Sequence, residues 1–224
     1  MAAIWNQVRA RLGEPSHGLE RPDDLDAFLA TGPLLAQICG PMAARRSHGV
    51  MVLGAFDAGL PGCPPGTYAS HIVRRLRDGP VSTAAVNAFD SQSGWGALIE
   101  AGHGDRSLIV TGSHSASMRA VADGTADVAA IDALTWRLSP HPRLRVVATT
   151  RPTPAPPLVT TRADMAGTLR RHLADAAAAL PVAKRRATGI RAFVPKTDAD
   201  YAGMALPPPP STSPARCIPS GIPA

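Results

Sequence analysis

The sequence predicts an α/β fold of mainly parallel sheets flanked by helices. Strand-like runs alternate with helical ones through the middle of the chain, as in successive βαβ units. The 224 residues are 45% hydrophobic, enough for one domain or for two small lobes sharing a chain, without disulfide or metal staples. No apolar run reaches the 18 residues of a membrane span.

The elements follow in order. Residues 2–12 read as a short helix, with Ile4, Val8 and Leu12 on one face beside Trp5. A second helix opens near Pro22, carries Leu25, Phe28 and Leu29, and ends at Gly32-Pro33. LLAQICGP is a short apolar run stopped by Gly40-Pro41, and VMVLGAF at 50–56 reads as a buried strand. Gly59 to Gly66 is a Pro- and Gly-rich loop, and 67–76 is strand or helix, undecided by periodicity. Strands are predicted at 84–89, 107–111, 127–131 and 144–149. Between them lie a helix with Trp95, Leu98 and Ile99, and one with Met118, Val121 and Ala122 closed by Gly124. After the Pro-rich crossing 151–157, the clearest helix spans 162–180. Thr161 is its expected cap with Asp164 three residues on, and Met165, Leu169, Leu173, Ala176 and Leu180 form its stripe. Residues 206–224 are too rich in Pro to build a core and read as a disordered tail.

Charge and cysteine content exclude several functions. The net charge is +6, from 23 basic and 17 acidic residues, but the basic pairs are scattered and aromatics are only 4%. That pattern is a solvated surface and not a nucleic-acid face. Three cysteines without paired spacing give neither a disulfide framework nor a zinc site, and no motif calls for a cofactor. MAAIWNQVRARLGEP lacks the apolar core of a secretory signal, so the chain as written reads as cytoplasmic, and as periplasmic if its true N-terminus lies upstream.

Two turns share one design. Ser91-Gln92-Ser93-Gly94 and Gly112-Ser113-His114-Ser115 each follow a strand, open a helix and are crowded with hydroxyls. A helix start offers unpaired N–H groups and partial positive charge to an anion, and Gly94 and Gly112 allow close approach to the backbone. Capping alone also accounts for Ser at such positions, and for Asp132 before the helix at DALTW. Neither turn continues into Gly-Lys-Ser/Thr, so no P-loop is present. QSGWG only partly matches a nucleophile elbow.

TGSHSASMRAVADGTADVAAIDALTW resembles the matching stretch of the phosphonate/phosphate/phosphite-binding proteins of ABC transporters. SQSGWGAL, LLAQICG and GCPPGTYAS resemble further landmarks of that family in the same order, over roughly residues 4–195. The resemblance implies a type II periplasmic-binding-protein fold of two α/β lobes. Lobe one would comprise 1–83 and 151–200, lobe two 84–150, with crossings near 80–86 and 150–157. It implies a solute-binding protein, not an enzyme, with a small phosphorus oxyanion or oxyanion-bearing metabolite as ligand. An ABC transporter permease would be its partner if the chain is exported. Ligand contacts would fall on Ser91, Gln92, Ser93, Gly94, Ser113, His114 and Asp132, with Tyr68 facing the ligand from lobe one and Gln37 and Cys39 on the opposite wall. An Asp acceptor beside the anion favours a ligand carrying a P–OH. The chain departs from the pattern in starting at a helix where the family has a strand, in Pro41, and after Tyr201-Ala202. The alternatives are an enzyme of cofactor biosynthesis using His114 and a cleft Ser, and a truncated relative that binds nothing.

Overall fold

The computed structural model describes residues 2–13, 18–45, 47–77, 79–208 and 216–217. The chain divides into two units: unit 1 is Met1–Thr67 with Pro154–Ala205, and unit 2 is Tyr68–Thr153 with Leu206–Ala224. The first division lies at 67–68 and not near 80–86, because residues 70–75 already form a strand inside the sheet of unit 2. Short strands β3 (Thr67–Tyr68) and β9 (Thr153–Pro154), at the points of passage, form a two-stranded sheet.

Unit 1 is built on the sheet β1 (Ala36–Gln37), β10 (Pro157–Thr160), β2 (Met51–Asp57) and β11 (Ala192–Pro195), in that spatial order. All of its pairings are antiparallel, contrary to the parallel sheet expected from the alternation of elements. The reason is topological: β10 and β11 return to this sheet from the distal part of the chain and run against β2. Helix α1 (Ala2–Leu12) inserts Ile4 and Val8, and α7 (Ala166–Ala178) inserts Leu169, Leu173 and Ala176, beside Leu53 and Phe56 of β2. Each such large apolar side chain stabilises by about 1.5–3 kcal/mol on burial. Gly54 is required where Phe193 crosses β2, since a Cβ there would lie 2.4 Å from the Phe193 ring. Arg170 of α7 donates to the Leu53 and Val52 carbonyls at 3.0 and 2.9 Å, tying helix to sheet.

Three local expectations in unit 1 change. Helix α2 (Leu25–Ala30) starts three residues after Pro22, because the Asp24 carboxylate caps it by accepting from the Ala27 N–H at 2.9 Å. Cys39 precedes α3 (Gly40–Ala44), where Pro41 is tolerated in the first turn. Residues 163–165 are a 3₁₀ turn leading into α7, and Thr161 does not cap: its hydroxyl donates to the Pro33 carbonyl at 3.1 Å, while Asp164 pairs with Arg162. Helices α8 (Val182–Thr188) and α9 (Asp198–Tyr201) complete the unit, and the fully buried Tyr201 donates its hydroxyl to the Ala155 carbonyl at 2.7 Å. A mainly apolar cavity of about 590 Å³ opens between α1, α2 and the sheet.

Unit 2 has the spatial order β12 (Arg216–Cys217), β6 (Ser107–Val110), β5 (Thr83–Val86), β7 (Val128–Asp132), β4 (Ser70–Arg75) and β8 (Leu144–Thr149). Its central strands are parallel, and β4 runs antiparallel to both β7 and β8. Helix α5 (His114–Asp123) covers one face with Met118 and Val121 over Val73, Ala85, Ala129 and Ile131. Trp95 and Leu98, the latter in α4 (Ala97–Glu100), cover the other over Ile72, Ala84, Val86 and Ala130. Both faces of the central strands β5 and β7 are therefore buried, which is why those two read as continuous apolar runs. Helix α6 (Ala133–Leu138) follows β7 directly. The tail is not wholly unstructured. The Pro207 carbonyl accepts from the Trp95 indole at 2.9 Å, and Arg216–Cys217 adds a parallel strand beside β6. The remainder of the predicted disordered tail lies outside the described residues.

Candidate functional site

The two hydroxyl-rich turns lie at the carboxyl ends of the adjacent strands β5 and β6, both in unit 2. The first is a single π-helical turn over Gln92–Gly96, capped by Ser91. Ser91 Oγ accepts from the Gly94 N–H and from Asn87 Nδ2, each at 3.0 Å. With both acceptor positions used, its own O–H is left to donate, and Ser93 Oγ lies 3.4 Å away. The Gln92 amide folds back over Gly96, where a Cβ would come within 3.0 Å of it.

The second turn is fixed by Thr111 and Gly112. Their N–H groups donate to the carbonyls of Val86 and Asn87 at 2.9 and 3.0 Å, and Gly112 takes φ 81°, a conformation that favours glycine. The Thr111 hydroxyl also meets Ser117 Oγ at 2.7 Å, so both buried hydroxyls are paired. Ser113 caps α5 by accepting from the Ala116 N–H at 3.1 Å.

The turns meet in one contact. Ser93 Oγ and His114 Nε2 are 2.9 Å apart, 21 residues apart in sequence. The other ring nitrogen, Nδ1, is enclosed, and the Ala130 carbonyl acts on the ring. Burial pushes the His114 imidazole below the ordinary histidine value, outweighing the opposite pull of Asp132 and of the Ala130 carbonyl. His114 is thus neutral near pH 7. Asp132, at the end of β7, accepts from the Thr135 N–H at 2.8 Å as the N-cap of α6. It also acts on His71, which burial likewise pushes down and whose Nδ1 meets Thr149 Oγ1 at 2.9 Å.

Capping therefore explains one role each for Ser91, Ser113 and Asp132, but not the Ser93–His114 contact or the convergence of the two turns. Tyr68 lies two residues before Ser70, the register partner of Asp132. Gln37 and Cys39 belong to unit 1: the Gln37 amide donates to the Pro156 carbonyl at 3.3 Å and borders the apolar cavity, and Cys39 is half-buried ahead of α3. Sequence reasoning missed Asn87, the hub of the arrangement, whose side chain holds Ser91 and whose carbonyl holds Gly112. The available signal was an amide side chain following a buried apolar strand, hidden by extending that strand to residue 89. Among the described residues no cluster of His, Cys, Asp or Glu has the arrangement of a metal site, and no helix is long and apolar enough to cross a membrane.

Residues 99–201 match the family described as "ABC transporter, phosphonate, periplasmic substrate-binding protein". No curated protein matches the chain. Among solved structures, a Prochlorococcus marinus protein in complex with methylphosphonate is 14% identical, with 90% of this chain and 88% of that one covered and a TM-score of 0.65. The binding component of a Pseudomonas aeruginosa ABC phosphonate transporter is 18% identical (89% and 78% covered, TM-score 0.64). A Xanthomonas citri protein bound to ATP is 20% identical (88% and 89% covered, TM-score 0.63). In sequence over residues 99–201, and in its type II periplasmic-binding-protein fold along most of its length, the chain is similar to the phosphonate-binding proteins of ABC transporters.

Proposed function

We propose that the chain is a non-catalytic solute-binding protein for a small phosphorus oxyanion (phosphonate, phosphate or phosphite) or an oxyanion-bearing metabolite. The observation that carries this reading is the 2.9 Å contact between Ser93 and His114, which brings two hydroxyl-lined helix starts together. Ser91, Gln92, Ser93, Gly94, Ser113, His114 and Asp132 are the proposed contacts. Tyr68, Gln37 and Cys39 enter on the family resemblance alone. Hydroxyls and helix amides hold a tetrahedral oxyanion by neutral donors. A phosphorus ligand also agrees with the methylphosphonate and ATP held by the two structural relatives. If the chain is exported, its proposed partner is an ABC transporter permease.

A Ser beside a His is also the start of a nucleophile–base pair. Catalysis would need a carboxylate committed to orienting the ring, and here Asp132 is engaged by the Thr135 amide as the cap of α6. Binding is the reading this favours. Thermal-shift and calorimetric titration with methylphosphonate, phosphate, phosphite and 2-aminoethylphosphonate test it. Ligand at 100 times its Kd stabilises by about 2.7 kcal/mol, or roughly 5–10 °C for a chain of this size. A cooperatively folded sample that none of the four stabilises overturns the proposal.

A further inference from the structure

We propose that oxyanion binding at Ser93 and Ser113–His114 is coupled to proton uptake by His114, so that ligand and proton are captured together. This rests on the oxyanion reading above and adds the source of the site's positive charge. The proposed unit 2 contacts include no Lys or Arg, and the one carboxylate side chain among them, Asp132, has the same sign as the ligand. Bringing a second negative charge beside Asp132 in a half-buried site is unfavourable without a compensating cation. His114 is the proposed contact that can become one.

The surroundings of the ring set its response. On β7 it faces the Asp132 carboxylate and the Ala130 carbonyl. The π turn presents the neutral Ser93 to the ring, and Asn87 after β5 is neutral and bonded to Ser91. Strand β4 brings His71 near Asp132, whereas Arg74 and Arg75 lie at its other end, with Arg75 bonded to Asp127. Arg145 of β8 pairs in register with Arg74 at that same far end. Arg119 and Asp123 lie one and more turns along α5 from His114. Without ligand, burial keeps the ring neutral. An anion a few ångströms away reverses the balance, because it favours the charged form of its neighbour. Protonation then makes Nε2 an obligatory donor to Ser93 Oγ, which leaves the Ser93 O–H to point at the ligand. The proton comes from solvent and forms an N–H bond on the ring.

The test is calorimetric titration of the full chain with methylphosphonate at pH 8.5, in two buffers of different ionisation enthalpy. His114 ring nitrogens are followed in parallel by NMR. Wild type is expected to take up about one proton per ligand, with His114 turning from neutral imidazole to imidazolium. His114→Gln is expected to bind at least about tenfold more weakly and to lose that uptake. Binding without uptake overturns the coupling and leaves the oxyanion reading standing. Uptake that persists in His114→Gln also overturns it, because the proton then resides on the ligand or Asp132. Absence of binding by folded wild-type protein defeats both.

Discussion

Replacing Gly94 by Ala places a methyl carbon 1.7 Å from Oδ1 of Asn87 and 3.2 Å from Oγ of Ser91. Gly94 is buried and its φ lies outside the positive region, so the backbone accepts Ala and the whole cost is steric. Asn87 is the group that must move, and moving it breaks the 3.0 Å bond to Ser91. Overpacking a buried site costs about 1–3 kcal/mol, and the lost hydrogen bond about 0.5–1.5 kcal/mol. The reduced freedom of the unfolded chain offsets about 0.4–1 kcal/mol. The net is roughly 0.5–4 kcal/mol, or about 1–16 °C in Tm. Thermal and urea unfolding measure it, and titration with methylphosphonate should show binding weakened at least about tenfold. A double-mutant cycle isolates the cause: in an Asn87→Ala background, Gly94→Ala should cost far less, with a coupling of about 1 kcal/mol or more. If Gly94→Ala costs the same in both backgrounds, or leaves Tm unchanged, Asn87 is not what fixes this turn.

Tyr201→Phe strands the Ala155 carbonyl and should lower stability by about 1–3 kcal/mol in urea unfolding, without a change in m-value. Burial alone would raise the Asp127 carboxyl, yet the Ser82 and Thr83 amides and the Arg75 guanidinium together hold it below the usual carboxylate range. It therefore stabilises the fold above about pH 4, and that contribution is lost as pH falls through its folded pKa. Asp127→Asn should cost about 1–3 kcal/mol at pH 7 and flatten the acid limb of a stability-versus-pH curve. Deleting 206–224 removes Leu206 from the core of unit 2 and the acceptor of the Trp95 indole, and calorimetry should show a loss of about 1–3 kcal/mol.

Segments whose signals are local are legible in the residue pattern alone. Ile4 and Val8 one turn apart make α1, Gly124 in the left-handed conformation ends α5, and double-sided burial writes β5 and β7 as unbroken apolar runs. Both hydroxyl-rich turns are legible in the same way, because a Ser cap after a strand is a short-range pattern. Other features emerge from the folded arrangement, because they depend on groups far apart in the chain. The antiparallel sheet of unit 1, the passage at 67–68, the diversion of Thr161 to Pro33 and the anchoring of the Pro-rich tail on Trp95 are all settled by distant partners. So are the contact of Ser93 with His114 and the role of Asn87, since a hydrogen bond is fixed by where strands β5 and β6 end in space and not by residue type alone.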